Sequence, residues 1–147
     1  METMTQKDKD LLLKDICERL NTNLVCSIYR TDDYGVGYRD EILHGYCKGD
    51  IWYEFYFGED CGICIDNVSK IKPYLFPLSS ITPEQEKELL KLGVSYGEYA
   101  LHDDIRGLGI MVDEAYIFFE FCYKHHIDFL DLIEMGLAID ATGKGIY

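Results

Sequence analysis

Ile42-Leu43-His44-Gly45-Tyr46-Cys47, Lys48-Gly49-Asp50 and Ile51-Trp52-Tyr53-Glu54-Phe55-Tyr56-Phe57 read as strand, tight turn, strand. This stretch decides the fold class, because two β-rich runs separated by a short glycine-containing turn are a hairpin signal. In the second run Trp52, Tyr53, Phe55, Tyr56 and Phe57 crowd both faces, so a strand covered on two sides is expected. Upstream, Leu24–Arg30 is rich in β-formers, and Thr31–Gly37 is full of turn residues. Downstream, residues 58–62 break the pattern before another short strand at Cys61–Ile65. Four strands in a meander need a helical cover on one face. The expectation is therefore an α+β domain: an antiparallel sheet of about four strands, packed with three to four helices in one compact unit.

The helices are signalled by caps and stripes. Thr5 can cap a first helix whose apolar stripe is Leu13, Ile16, Cys17 and Leu20, ended by the Asn21-Thr22-Asn23 turn. Thr82-Pro83-Glu84-Gln85 combines an N-cap, a proline at the first helical position and a capping-box partner, for a helix stopping at Gly93. Asp113 would open a helix over Glu114–His126, with an aromatic face and a Glu120–Lys124 pair. Asp128 would cap a short helix over Phe129–Met135, closed by Gly136. Between the sheet and the second helix, Pro73 and Pro77 exclude a helix interior or a central strand, so an extended packed connector is expected. Residues 94–112 read as loop with a short strand at Leu108–Val112, and Ala141–Tyr147 as an extended tail.

Composition narrows the function classes. The 147 residues carry 27 acidic and 14 basic side chains, a formal charge of −13, and 48% of them are hydrophobic. Such a chain can bury a core, but it lacks the basic balance that non-specific nucleic-acid binding or anionic membranes demand. The apolar runs are far too short to span a bilayer, and the lysines and aspartates near Met1 do not resemble a secretory leader. A cytoplasmic protein with its six cysteines reduced is the expectation.

Three segments carry a family resemblance: residues 11–20 (LLLKDICERL), 72–82 (KPYLFPLSSIT) and 125–138 (HHIDFLDLIEMGLA), the last followed by the closing Gly-Ile-Tyr. In this order and spacing the chain resembles a family of small uncharacterised acidic proteins of Bacteroidales genomes, their prophages and gut phages. Residues 21–65 depart from the family pattern, and its proline-containing turn after the first helix is here Asn21-Thr22-Asn23. The resemblance implies a phage or mobile-element accessory protein in a bacterial host. Such a protein would act by binding, either occluding a host defence protein or sequestering a nucleotide signal.

The residues offer several candidate sites. Tyrosine and arginine are favoured at binding hot spots, and aromatic faces can stack a base. Arg30, Tyr34, Tyr38, Arg39, Trp52 and Tyr53 are therefore the candidate ligand-binding set, alone or between two copies of the chain. For a hydrolase or nucleotide-processing enzyme, the candidates are His125 and His126 at a helix C-terminus, or His102, Asp103 and Asp104. A partly protonated imidazole would suit that helix end. Cys61 and Cys64 have the spacing of half a zinc site, but a second pair is missing and adjacent histidines chelate poorly, so no metal and no cofactor are expected. An acidic charge mimic that inhibits a protein partner is the remaining alternative. Gly35-Val36-Gly37, Gly107-Leu108-Gly109 and Gly143-Lys144-Gly145 lack a nucleotide-binding context and read as turns.

Overall fold

The structure is a computed structural model, which describes residues 4–32, 35–49, 53–59, 62–92 and 115–147. Helix α1 spans Gln6–Glu18 and begins at the expected Thr5, whose Oγ1 accepts the Asp8 N–H at 3.1 Å. The Asp8 carboxylate returns the favour at the Thr5 N–H, so the capping box satisfies two end donors. Leu12 and Ile16 are fully buried, whereas Leu13, Cys17 and Leu20 are only partly so. The buried stripe is thus centred about one residue away from the expected one.

Beneath α1 lies one sheet of seven strands: β1 (Val25–Asp32), β2 (Gly35–Lys48), β3 (Tyr53–Phe57), β4 (Ile63–Ile65), β5 (Ile71–Pro77), β6 (Ile127–Asp128) and β7 (Ile139–Asp140). The order is β4-β3-β2-β1-β5-β6, with β7 also on β5. The α+β class and the four-strand meander match the sequence reading, and three further strands extend the sheet. Cys26, Ile28, Leu43, Phe55, Phe57, Ile63, Ile65, Ile71 and Leu75 pack in one cluster with Leu12 and Ile16 of α1. Burial of Phe55 and Phe57 alone contributes roughly 2–3 kcal/mol each.

The run Thr31–Gly37, read as a turn, is mostly strand. Thr31 pairs with Val36 and Asp32 with Gly35, so the ladder continues to the hairpin tip. Gly35 and Gly37 allow it, since their φ of 152° and 134° suits only residues without a Cβ. A register shift between Leu43 and Gly45 then bends β2 before it meets β3.

The segment read as a connector is the internal strand β5, which corrects the exclusion of a central strand by Pro73 and Pro77. Its ladder with β1 covers only Ile71–Pro73 against Cys26–Ile28. Beyond Pro73 a side chain takes over the rungs. The Tyr147 hydroxyl accepts the Val25 N–H at 3.0 Å and donates to the Tyr74 carbonyl at 2.8 Å. Phe76 N–H donates to the His126 carbonyl, whereas Ala141 N–H donates to the Leu75 carbonyl, both at 2.8 Å. Neighbouring residues on a strand point their amides to opposite edges, so β6 and β7 flank β5 on opposite sides. Pro77 is the last residue of the strand.

Helices α2 (Pro83–Lys91) and α3 (Ala115–Lys124) build a second cluster from Leu89, Phe118, Phe121, Cys122, Ile127 and Phe129. The Thr82 capping box and its proline open α2 as expected. In α3, Lys124 pairs with Glu88 of α2 at 3.3 Å instead of with Glu120, tying the two helices together. Arg19 joins this cluster to α1. It is completely buried, donating from Nε to Asp15 at 2.8 Å, and from its two terminal nitrogens to the carbonyls of Cys122 (3.3 Å) and Ile127 (2.7 Å).

The expected short helix at Phe129–Met135 is a run of turns. Asp131 adopts a left-handed φ of 59°, which an α-helix does not admit. Asp128 still caps, accepting the N–H groups of Leu130, Leu132 and Ile133. The strand expected at Leu108–Val112 lies outside the described residues. Among those described, no helix is long and apolar enough to cross a membrane.

Candidate functional site

The ladder limits of β1 and β2 create a projecting ribbon. β5 pairs with β1 only through Cys26–Ile28, and β3 pairs with β2 only from Leu43 onward. From Tyr29 to Asp32 and from Gly35 to Glu41, the described residues pair across this ribbon alone. Among the described residues, its outer edges therefore carry backbone groups outside the ladder, an arrangement that accepts a further strand.

Strand alternation then sorts the side chains. Tyr29 and Tyr38 sit opposite each other with ring centroids 5.0 Å apart, and Val36 lies two residues further along the same face. Val36 is 76% exposed and Tyr38 75%, so the tip presents an uncovered apolar and aromatic surface. Asp40 on that face accepts the Tyr74 hydroxyl at 2.8 Å, which anchors the ribbon base to β5. Burial first, then this bond, raises the Tyr74 phenol above its usual range.

Arg30 and Arg39 occupy the opposite face. Both line a cavity of 410 Å³ with Glu41, Glu59 and Phe57. Arg39 lies 3.3 Å from Glu41. Gly58 closes this cavity in a left-handed conformation, φ 81°, where an added Cβ would meet Glu41 at 3.4 Å. The site expected from sequence is thus partly assembled. Arg30 and Arg39 come together, Tyr38 faces the other way, and Tyr53 sits at the far end of β2 beside Lys48. About nine residues at ~3.3 Å each separate Arg39 from that position. Tyr34 and Trp52 lie outside the described residues.

The histidine alternative resolves into a second cleft, of 480 Å³, which His125, His126, Lys124, Gln85 and Tyr147 help to line. His125 closes α3 with its ring 4.5 Å from that of Phe121, and its Nε2 lies 3.2 Å from Glu88. Burial works to raise the Glu88 carboxyl, but the hydrogen bond from Lys124 and the close approach of His125 hold it below its usual value. His126 follows in a left-handed conformation, φ 59°, with its ring stacked on Tyr147 at 3.7 Å and 8°. Burial, then the charges of Arg19 and His125, lowers its pKa to about 4. The partly protonated imidazole expected at this helix end is therefore not found at His126, because desolvation outweighs the dipole.

Two hydroxyls of this cleft are already engaged. Ser80 donates to the Pro77 carbonyl at 2.6 Å, and Tyr147 bridges β1 and β5. Neither is presented to an imidazole as a nucleophile would be. The His102, Asp103 and Asp104 cluster lies outside the described residues.

Comparison with protein-family models, with curated proteins and with solved structures returned no match. Burial pushes the Cys26 and Cys122 thiols far up, and burial together with Glu54 and Asp66 raises Cys64. A reactive or metal-binding thiolate needs the opposite shift. Among the described residues no three metal-ligating side chains converge, and Cys61 is not among them. Sequence reasoning missed a third cleft, between α1 and α3, where Asp15 meets Phe119, Tyr123 and Phe129. The aromatic face of α3 was its only visible signal.

Proposed function

We propose that this protein is a binding protein that occludes a partner protein through the β1–β2 ribbon. The observation that carries the reading is the ribbon itself: a paired hairpin whose outer edges lie outside the ladder among the described residues, with Val36 and Tyr38 exposed near its tip. Pairing fixes its conformation before binding, which lowers the ordering cost of association. The excess of acidic residues favours a basic partner and steers its approach. The resemblance to proteins of Bacteroidales prophages and gut phages supplies the setting, an accessory protein acting on a host protein inside the bacterium.

Nucleotide sequestration has less support. In the cavity holding Arg30 and Arg39, Glu41 and Glu59 oppose phosphate, and among the described residues Phe57 is the single aromatic one in the lining. Native mass spectrometry of complexes recovered from host cells separates the readings. Occlusion predicts a stoichiometric protein partner, lost in a Val36→Lys, Tyr38→Ala double variant that unfolds at an unchanged denaturant midpoint. A nucleotide released intact on denaturation, with no protein bound, would overturn the occlusion reading.

A further inference from the structure

Hydrogen-bond parity tells which backbone groups of the ribbon face outward. Leu43 N–H donates to the Leu24 carbonyl, and the Ile42 carbonyl accepts from Gly58 N–H. Along β2, odd-numbered residues therefore aim their backbone groups at β1, and even-numbered ones aim theirs away from it. The β1–β2 register runs without a shift from Val25 opposite Ile42 to Asp32 opposite Gly35, so the alternation holds to the tip. At Gly58 the chain leaves the line of β3 in its left-handed conformation. Asp40, Tyr38 and Val36 then continue the β2 edge beyond β3. Among the described residues, no ladder takes up their outward N–H and C=O groups.

Two clefts flank this edge and meet at Glu41, Gly58 and Glu59. One is the cavity of Arg30 and Arg39. The other, of 320 Å³, has Asp40 and Ile42 in its wall and so opens on the Tyr38 face. Glu41, His44 and Glu59 also line it, with no lysine or arginine among the described residues. A strand added to an open edge gains main-chain bonds from it, and pockets on the two faces select its alternate side chains. Three carboxylates in this cleft select a cation. Two and four residues closer to the tip, exposed Tyr38 and Val36 suit apolar neighbours on the same face.

We infer that the β2 edge binds an extended basic segment of a partner protein as an added strand, antiparallel to β2 as β3 is. Its main chain bonds Asp40, Tyr38 and Val36. A lysine or arginine enters the acidic cleft, and apolar residues two and four positions after it lie over Tyr38 and Val36. The inference rests on the ribbon as the binding surface and names what the ribbon holds.

The probe is the acetylated, amidated peptide Thr-Lys-Thr-Ile-Thr-Ile-Thr. Added to the intact chain, it is expected to slow hydrogen exchange several-fold at the amides of Val36, Tyr38 and Asp40, read by NMR. N-methylation at its lysine, whose N–H faces β2 in the antiparallel pairing, should abolish the effect; N-methylation at the following threonine, whose N–H faces solvent, should spare it. Glutamate in place of the lysine should weaken binding about tenfold. No slowing at these amides, equal effects of the two N-methyl peptides, or equal binding of the lysine and glutamate peptides would overturn the inference. Capture of the cellular partner judges occlusion separately. A partner lost from the Val36→Lys, Tyr38→Ala variant, with no response to the peptide, rejects strand addition and leaves the ribbon reading standing. A peptide response with no captured protein does the reverse.

Discussion

His126→Asn should remove most of an acid-sensitive contribution to folding stability. His126 is 9% exposed, its Nδ1 has no hydrogen-bond partner among the described residues, and its ring is stacked flat on Tyr147. Protonation there would bury a charge away from water, and next to Arg19 and His125 besides, so the folded pKa falls from 6.5 to about 4. Between those two values the unfolded chain binds a proton that the folded chain refuses. Stability is therefore complete above the unfolded pKa and declines as pH falls towards about 4. The gap converts at ~1.36 kcal/mol per tenfold to at most roughly 3 kcal/mol, and partial solvation of the ring brings it nearer 2. Asp15 works in the opposite sense, because burial raises its pKa and the folded state then takes up a proton first. A difference between two proteins cancels that contribution. Asparagine is the right replacement, since it tolerates the left-handed backbone at φ 59°. Urea unfolding of both proteins at about pH 7 and about pH 4.5 gives the four free energies required. The native protein should lose about 2 kcal/mol more than the variant over this interval. Equal losses would refute the assignment of a neutral buried imidazole.

Three further outcomes follow from the same framework. Arg19→Ala should destabilise by about 3–5 kcal/mol in chemical denaturation, since it leaves the buried Asp15 carboxyl without its partner and two carbonyls without this donor. Tyr147→Phe keeps the stack on His126 but removes the hydroxyl between Val25 and Tyr74; a loss of about 1–3 kcal/mol is expected, with faster amide exchange at Val25. Thr82→Ala should cost about 1 kcal/mol through the lost α2 cap, readable as a lower thermal midpoint.

Much of the framework was legible because it is encoded locally. Thr5 and Thr82 cap their helices through residues three positions away, so a linear reading finds both. The β1–β4 meander was visible for the same reason, each strand following its neighbour. β5 was misread because the strand does not solve its own proline problem. Tyr147, distant in sequence, supplies the rungs beyond Pro73. The helix expected after Asp128 failed at Asp131, whose backbone leaves the helical region without a glycine to announce it. For the candidate site, Arg30, Tyr38 and Arg39 were found by residue type, yet strand alternation places Tyr38 opposite the two arginines. The projection of the ribbon could not be read, because it depends on where β5 and β3 stop pairing. Asp15 was hidden for a related reason. On the helix it looks like a surface acid, and only the approach of α3 and β6 buries it.

Site-specific photocrosslinking most directly tests the ribbon as the binding surface. A photoreactive phenylalanine analogue is placed at Tyr38 and, separately, at Leu90, an exposed position on α2. Both proteins are irradiated in host cells, and the crosslinked species are identified by mass. The ribbon proposal predicts one dominant protein adduct from position 38, absent from position 90 and abolished by Val36→Lys. The same adduct from position 90, with none from position 38, would contradict it.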